Sequence, residues 1–512
     1  MMLVFFRYLL VFLVVISLQQ VNTSFSQDGS LDPTFGTGGI VVTPIGTGDD
    51  IGFSVAVQED GKIVVVGYSD NGTNDDVSMV RYNSDGSLDD TFGTAGKVVT
   101  SLGASEQCYA VAIQVDGKIV VSGTSFNGSD YDITLFRYLT DGSLDATFDA
   151  DGIVQTAIGS FNNDYAYSLL IQNDGKIVVA GETSPGGWSD FALVRFNGDG
   201  SLDTSFDGDG IVTTPVTPFH DDAYSVVIQD DGKIIAAGIA CDAINCFFAI
   251  ARLNTDGSLD ATFDLDGVVV TSVGPYNEGG AFSVVVQTDG KIIVGGSCFD
   301  GSNNDFTLVR YNSDGGLDNS FDTDGIVISP IGTGGDSGSS LALQVDGKII
   351  LAGNSLVGSN ANFTLVRYNS NGSLDGTFDS DGIVTTSIGP SNSWGTSTSI
   401  QVDGKIILAG WSSNGTDADF TVARYNGMGS DQILPTTEAE EIQIFPNPSS
   451  GILTLQARGN ENASVKIFNA LGTEVLSLSL TENTKISLAQ PGVYFARISN
   501  GGKIRTEKIV IQ

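Results

Sequence analysis

The chain has 512 residues, 41% of them hydrophobic, and carries 61 acidic against 23 basic side chains. It is too apolar to be disordered and too long for one ordinary domain, so we expect two or more folded domains. The acidic balance, with no basic stripe anywhere, argues against a nucleic-acid partner. Four cysteines are too few for a disulfide scaffold.

Residues 1–26 have the pattern of a signal peptide. Arg7 precedes an apolar run from Leu9 to Leu18, and small residues stand before the expected cleavage site at Gln27. A membrane anchor is the alternative, but it needs about 18 uninterrupted apolar residues, and two glutamines end the run too early. We therefore predict an exported chain whose mature part has no transmembrane segment.

The middle of the chain repeats one unit seven times. Three motifs recur every 56 to 58 residues: an Asp-Gly-Lys turn, an arginine in a Leu-Val-Arg-like run, and the connector Asp-Gly-Ser-Leu-Asp-x-Thr-Phe with small variations. The lysines of the turn are Lys62, Lys118, Lys176, Lys233, Lys291, Lys348 and Lys405. The arginines are Arg81, Arg137, Arg195, Arg252, Arg310, Arg367 and Arg424. The aspartates of the Leu-Asp pair are Asp32, Asp89, Asp145, Asp203, Asp260, Asp318 and Asp375.

Each unit contains four short apolar runs that are rich in Val and Ile and separated by turn residues, and none shows sustained helical periodicity. In the third copy the runs are GIVQT, AYSLLIQ, KIVVAGE and FALVRF, which we assign to one blade. The pattern predicts an all-β fold, a seven-bladed β-propeller of four-stranded blades over residues 27–426. A β-helix is the alternative, but its coils are usually much shorter.

Both ends of the repeat region are incomplete. The mature chain opens with the connector DGSLDPTFG although no fourth strand precedes it, and after Tyr425 the last unit has no connector. We predict that the first connector lies against the last blade and closes the ring without a covalent bond.

The rest of the chain forms a separate module. Residues 427–441 are small, polar and acidic and predict a linker. Strand-like runs separated by turn signals then predict a small C-terminal β-sandwich at residues 442–512. The acidic excess belongs to the propeller, because residues 27–429 hold 53 acids and only 15 bases.

Two parts of the chain resemble known families. FPNPSSG at Phe445 to Gly451, GVYFARIS at Gly492 to Ser499 and the terminal KIVIQ resemble the C-terminal sorting domain of the type IX secretion system of Bacteroidota. That resemblance implies handling by the type IX machinery, then release or attachment to the outer-membrane surface. The sevenfold motif resembles the delta-60 repeat, which forms propellers and has no general assigned activity.

Residues repeated in every blade are better explained by the fold than by a single active site. The arginine and the connector aspartate lie about eight residues apart in each linked copy. We predict partly buried Arg–Asp ion pairs that hold each connector against its blade.

Five connectors continue into Phe-Asp-x-Asp-Gly, a carboxylate spacing that can ligate calcium. No bidentate glutamate follows, and the first two copies read FGTGG and FGTAG, so turn-forming aspartate is the simpler interpretation. We predict no cofactor and no metal site, and calcium remains the open alternative. The five pairs are Asp149 and Asp151, Asp207 and Asp209, Asp264 and Asp266, Asp322 and Asp324, and Asp379 and Asp381.

The sequence offers little for catalysis. His220 is the only histidine, so a catalytic triad would have to include it, yet its acidic neighbours favour a polar surface loop. Cys241 and Cys246 flank a four-residue turn and can form a disulfide in an exported protein. Cys108 and Cys298 fall in non-adjacent blades, and we expect both to be unpaired.

Variation between copies is concentrated on one face of the predicted propeller. This variable face carries the loops between the first and second and the third and fourth runs, for example PGGWSD and SNSWGT. It holds all three tryptophans, Trp188, Trp394 and Trp411. Aromatic rings on a polar face can stack on sugars or anchor a protein, and packing of the loops is the alternative.

These features predict a non-catalytic binding protein on the cell surface or in the medium, with a glycan or protein as its ligand. Two alternatives stay open. One is a carbohydrate-active enzyme, a glycoside hydrolase or lyase, with an Asp/Glu pair on the variable face. The other is a purely structural component of the surface.

Overall fold

The computed structural model describes residues 27–160 and 162–427, together with segments 442–445, 452–457, 463–469, 474–480, 484–488, 492–500 and 503–511. The predicted signal peptide at 1–26 and nearly all of the predicted linker at 427–441 lie outside the described residues. The chain divides into two compact units after Ser430.

The first unit contains seven antiparallel sheets of four strands each, and no helix lies within its described residues. The inner strands of adjacent blades contact one another in an unbroken circle, which makes the unit a seven-bladed β-propeller, as predicted. The inner strands are β2 (Asp50–Val57), β6 (Glu106–Ile113), β10 (Asp164–Ile171), β14 (Asp221–Ile228), β18 (Gly279–Val286), β22 (Asp336–Leu343) and β26 (Ser393–Ile400). The second strands are β3 (Ile63–Asp70), β7 (Ile119–Phe126), β11 (Ile177–Thr183), β15 (Ile234–Cys241), β19 (Ile292–Phe299), β23 (Ile349–Val357) and β27 (Ile406–Ser413).

The outer half of each blade consists of a long third strand and a short outer strand. The third strands are β4 (Asp75–Tyr82), β8 (Tyr131–Tyr138), β12 (Asp190–Phe196), β16 (Cys246–Leu253), β20 (Asn304–Tyr311), β24 (Asn360–Tyr368) and β28 (Ala418–Tyr425). The outer strands are β5 (Lys97–Thr100), β9 (Ile153–Thr156), β13 (Ile211–Thr214), β17 (Val268–Thr271), β21 (Ile326–Ser329), β25 (Ile383–Thr386) and, for the seventh blade, β1 (Ile40–Thr43).

The predicted grouping of strands into blades was wrong by one strand. The run GIVQT of the third copy is β9, and it pairs with β8 of the preceding blade rather than with β10. The reason is the connector, which is a tight turn and returns the chain antiparallel to the strand that it has just left. The chain therefore passes from one blade to the next after GIVQT, in the loop that joins β9 to β10.

A glycine in every second strand shapes the inner strand beside it. In blade 3, a Cβ on Gly181 would lie 1.7 Å from the carbonyl oxygen of Tyr165, and the six equivalent glycines leave only 1.8 to 1.9 Å. Only glycine permits this close approach. The inner strand forms a β-bulge at this level, which leaves Tyr167 outside the ladder of blade 3.

The core lies between blades rather than within a single layer. Leu135 and Phe148 of blade 2, for example, pack in one cluster with Ala166 and Val179 of blade 3, and all four are fully buried. Burial of such a large apolar side chain contributes about 1.5–3 kcal/mol. Adjacent blades thus stabilise one another, and an open edge of the ring would expose one such cluster.

The ring closes as predicted. Strand β1 pairs with β28, so residues that precede the first inner strand complete the seventh blade. The N–H of Gly29 donates to the carbonyl oxygen of Asn426 at 2.7 Å. Arg424 Nε lies 2.8 Å from Asp32 Oδ2 across this junction.

The second unit has two sheets and its own core. One sheet contains β29 (Ile442–Phe445), β30 (Ile452–Ala457) and β33 (Thr484–Ser487). The other contains β32 (Glu474–Leu480), β31 (Ala463–Asn469), β34 (Gly492–Asn500) and β35 (Lys503–Ile511). Leu453 and Ile486 of the first sheet and Val465 and Tyr494 of the second form one buried cluster, as expected of a sandwich.

Candidate functional site

The central channel is lined by a ring of seven side chains, one from each inner strand. Each stands nine residues before an Asp-Gly-Lys lysine, at the position that the β-bulge leaves unpaired. The members of this lower ring are Phe53, Tyr109, Tyr167, Tyr224, Phe282, Ser339 and Thr396.

Five members of the lower ring are aromatic and form a continuous arc. Neighbouring ring centroids lie 4.9 to 5.5 Å apart in tilted and edge-to-face arrangements, and the closest pair is Tyr167 and Tyr224 at 4.9 Å. In blades 6 and 7 the ring positions hold Ser339 and Thr396 instead. The channel is therefore asymmetric, with rings on five sides and small hydroxyl side chains on two.

A second layer of side chains lies nearer to the variable face. It consists of cross-strand pairs that stand eleven residues before and six residues after each Asp-Gly-Lys lysine. The pairs of this upper layer are Ile51 and Tyr68, Gln107 and Thr124, Tyr165 and Glu182, Asp222 and Ile239, Gly280 and Ser297, Ser337 and Asn354, and Trp394 and Trp411. No two pairs are alike, so this layer breaks the sevenfold repeat and is where a single specific site can arise.

Two of the three tryptophans meet in the upper layer. Trp394 and Trp411 are directly opposite on β26 and β27, with ring centroids 5.9 Å apart and planes inclined by only 14°. Trp394 is 39% exposed. Trp411 covers part of the indole, and the exposed part of Trp394 is available to a planar or apolar ligand surface.

Trp188 belongs to a different cluster. It lies at the edge of blade 3, where its ring contacts Phe219 at 5.2 Å and His220 at 4.7 Å. His220 Nδ1 is 3.0 Å from Ser189 Oγ, and that hydroxyl donates to Asp222 Oδ1 at 2.5 Å. The structure thus brings Trp394 and Trp411 together and leaves Trp188 apart, while His220 stays on the surface, as its loop indicated.

A carboxyl pair lies beside the tyrosines of the channel. Glu182 of blade 3 lies near Asp222 of blade 4, and Tyr167 donates to Glu182 Oε1 at 3.2 Å while Tyr224 donates to Asp222 Oδ2 at 3.2 Å. Burial, followed by the neighbouring carboxyl group of Asp222, raises the pKa of Glu182 to about 9. At neutral pH Glu182 therefore keeps its proton and can donate a hydrogen bond.

The lower ring and part of the upper layer enclose one cavity of about 500 Å³. Trp394, Trp411 and Asn354 line it on the side of blades 6 and 7. Aromatic rings and hydroxyl groups make up most of its wall, and none of its lining side chains is charged. This size and lining are typical of small-molecule sites.

The repeated arginines form a network on the opposite face, which carries the Asp-Gly-Lys turns and the connectors and is called the repeat face below. In blade 3, Arg195 Nε lies 2.6 Å from Asp203 Oδ2, and its guanidinium stacks 4.4 Å from the centre of Phe206. Arg195 also donates to the carbonyl oxygen of Thr255 in the next blade at 2.6 Å. The corresponding Nε–Oδ2 distance is 2.6 to 2.8 Å in all seven predicted pairs.

The lysines of the Asp-Gly-Lys turns join the same network. Lys176 Nζ lies 2.7 Å from Asp203 Oδ2, and five other copies repeat this contact, whereas Lys62 pairs with Asp60. Burial raises the pKa of Asp203, but hydrogen bonds from Lys176 and Ser205 and the contact with Arg195 outweigh it, so the pKa lies well below its usual range. The lysine role was missed at the sequence level, although the strict repetition of the lysine was the available signal.

The Phe-Asp-x-Asp-Gly loops have a turn geometry. Asp207 has a positive φ of 48°. At the same place in the first two copies, Gly36 and Gly93 have a φ of 51°. Asp209 Oδ1 accepts the N–H of Ile211 at 2.9 Å, and the other four loops repeat this contact. In the described part of the chain, no three His, Cys, Asp or Glu side chains are grouped so as to hold a metal ion.

The four cysteines of the propeller differ in state. Cys241 and Cys246 form a disulfide that closes the turn between β15 and β16 on the variable face. Cys108 and Cys298 are buried and free.

Comparison with protein families assigns both units. Residues 443–512 match the secretion system C-terminal sorting domain. Seven segments match a β-propeller domain of unknown function, DUF5122, namely 58–92, 114–148, 172–206, 229–263, 287–321, 344–378 and 401–430. The chain is a DUF5122 β-propeller with a type IX sorting domain. Both resemblances found in the sequence are thereby confirmed, and the protein is exported by type IX secretion to the cell surface or the medium.

Solved structures show only distant likeness to the DUF5122 chain. A fungal alcohol oxidase in complex with copper is 12% identical at a TM-score of 0.47, over 94% of this chain and 100% of the oxidase. Virginiamycin B lyase of Staphylococcus aureus with quinupristin is 11% identical at a TM-score of 0.42, over 75% and 98%. Drosophila Semaphorin 1b is 8% identical at a TM-score of 0.42, over 78% and 88%. These likenesses include enzymes and non-enzymes and carry no argument about activity.

No curated protein matches the DUF5122 chain. Among the described residues, no helix is long and apolar enough to cross a membrane.

Proposed function

We propose that this exported propeller is a non-catalytic glycan-binding protein whose ligand enters the central channel from the variable face. The observation that carries the proposal is the convergence of non-repeated side chains on one cavity. Residues that serve the fold recur seven times, whereas Trp394, Trp411 and Asn354 occur once each at their positions and line the same space. Sugar rings stack on aromatic faces, and their hydroxyl groups bond to amides, hydroxyls and carboxyls.

The carboxyl groups of Glu182 and Asp222 are consistent with binding, because each accepts a hydrogen bond from a tyrosine of the lower ring. A glycosidase instead uses two carboxyl groups that flank the bond to be cleaved. The enzyme alternative still has one favourable observation, because a protonated Glu182 is a potential general acid.

Tryptophan emission of the full secreted chain tests the proposal, since all three tryptophans are in the propeller. The chain is titrated with neutral and acidic polysaccharides, and turnover is followed as release of reducing ends. We expect a saturable emission change that is lost in Trp411→Ala and retained in Trp188→Ala, without turnover. Absence of binding across the panel would contradict the proposal. Turnover that disappears in Glu182→Gln would favour the enzyme.

A further inference from the structure

The lower ring shows where a ligand can sit. Five blades fill the ring position with an aromatic side chain, while Ser339 in blade 6 and Thr396 in blade 7 leave that volume empty. The empty volume adjoins Trp394 and Asn354, which line the same cavity. The two blades that lack the ring residue are thus the two that carry the indole pair and the amide.

Asn354 is the second observation that points to a ligand. Its residue is only 6% exposed, it lines the cavity, and its side-chain amide makes no hydrogen bond to any other residue that the structure describes. The amide atoms of Asn354 are not among the fully buried polar atoms that lack a partner, so they reach the open space of the cavity. A ligand in the cavity can therefore bond to this amide directly in place of water.

The electrostatics select the kind of ligand. No charged side chain lines the cavity, and the propeller residues 27–429 hold 53 acids against 15 bases. A polyanion would be repelled by this field, and the amide and hydroxyl groups of blades 6 and 7 can bond to neutral hydroxyl groups. A neutral, polyhydroxylated ring meets both conditions.

We propose that an uncharged sugar ring sits over blades 6 and 7, stacked on the exposed part of Trp394 and hydrogen-bonded to the amide of Asn354. This sugar site, called the seat below, rests on the proposed function and specifies the class of ligand. The small side chains of Ser339 and Thr396 provide the room, so the missing aromatic rings are the specificity determinant of the channel.

The seat is tested by a substitution that fills its volume with an aromatic side chain. Ser339→Tyr introduces the side chain that Tyr109, Tyr167 and Tyr224 carry at the same ring position, and Ser370→Tyr, the same substitution at an exposed position of the repeat face, is the matched control. The full secreted chain is titrated with a neutral β-glucan, a neutral mannan and polygalacturonate by calorimetry. We expect Ser339→Tyr to weaken binding of the neutral glycan at least tenfold, equivalent to about 1.4 kcal/mol, and Ser370→Tyr to bind within about twofold of the parent.

A second variant covers the case in which Ser339→Tyr disturbs the fold. Asn354→Ala should weaken neutral-glycan binding without lowering the thermal midpoint, because its amide makes no hydrogen bond in the free protein. Binding that is unchanged in both variants would overturn the seat while leaving glycan binding intact. Preference for polygalacturonate would also overturn it. Failure of every glycan to bind would remove the proposed function together with the seat.

Discussion

Breaking one arginine network should measure how strongly the connectors hold the blades. Arg195→Ala removes the ion pair to Asp203, the stacking on Phe206 and the hydrogen bond to Thr255 of the next blade. Arg195 and Asp203 are only 4% and 5% exposed. Loss of one partner of a buried pair costs about 3–5 kcal/mol. With an unfolding entropy of roughly 0.8 kcal/mol/K for about 400 residues, the thermal midpoint should fall by about 4–6 °C.

The midpoint is measured by circular dichroism at pH 7 on the full secreted chain. Arg195→Met combined with Asp203→Asn is the matched control, because the asparagine keeps the Oδ1 acceptor of the turn and the one charge that loses its partner, that of Lys176, is partly exposed to water. We expect the double variant to be more stable than the sum of the single effects. A midpoint of Arg195→Ala within about 1 °C of the parent would refute the structural role of the pair.

Two further predictions concern the variable face. The folded chain keeps the proton of Glu182 up to about pH 9, whereas a glutamate in the unfolded chain releases it near its ordinary pKa of 4.5. The resulting stabilisation is complete below the unfolded pKa and is lost as the pH rises through about 9, by up to about 1.4 kcal/mol per pH unit. Thermal midpoints from pH 5 to 9 should therefore fall less steeply in Glu182→Gln, and parallel curves would contradict the raised pKa of Glu182. Replacing Cys241 and Cys246 with serine should cost about 2 kcal/mol from the short loop that the disulfide closes, or about 2–3 °C in the midpoint; an unchanged midpoint would show that the bond constrains nothing.

The repeat made the fold predictable. Positions that recur seven times, such as the arginine and the connector aspartate, can be paired by spacing alone, and the missing connector after Tyr425 indicated ring closure. The blade boundary could not be predicted, because strand-like runs do not reveal which neighbour they pair with. The tight turn of the connector determines the pairing partner, because it brings β9 back against β8.

The candidate site was only half visible in the sequence. Trp394 and Trp411 drew attention as rare aromatic residues, but the carboxyl pair of Glu182 and Asp222 joins two blades whose residues are 40 positions apart. The signal was present as two fixed offsets from each Asp-Gly-Lys lysine, where every copy carries a different residue. Spacing alone could not show that the residues at these two offsets face one channel. The neighbouring ring residue points inward because of a β-bulge, which is a feature of the backbone that the sequence pattern does not reveal.

The closed ring also determines where the chain enters and leaves the propeller. Gly427, the last described residue of this unit, accepts hydrogen bonds through its carbonyl oxygen from Arg367 and Gln344, and Asp28 pairs with the same arginine at 3.0 Å. Both ends of the propeller are therefore anchored among the connectors, on the side away from the tryptophan pair. The contacts that anchor the two ends of the propeller therefore involve none of the residues that line the cavity.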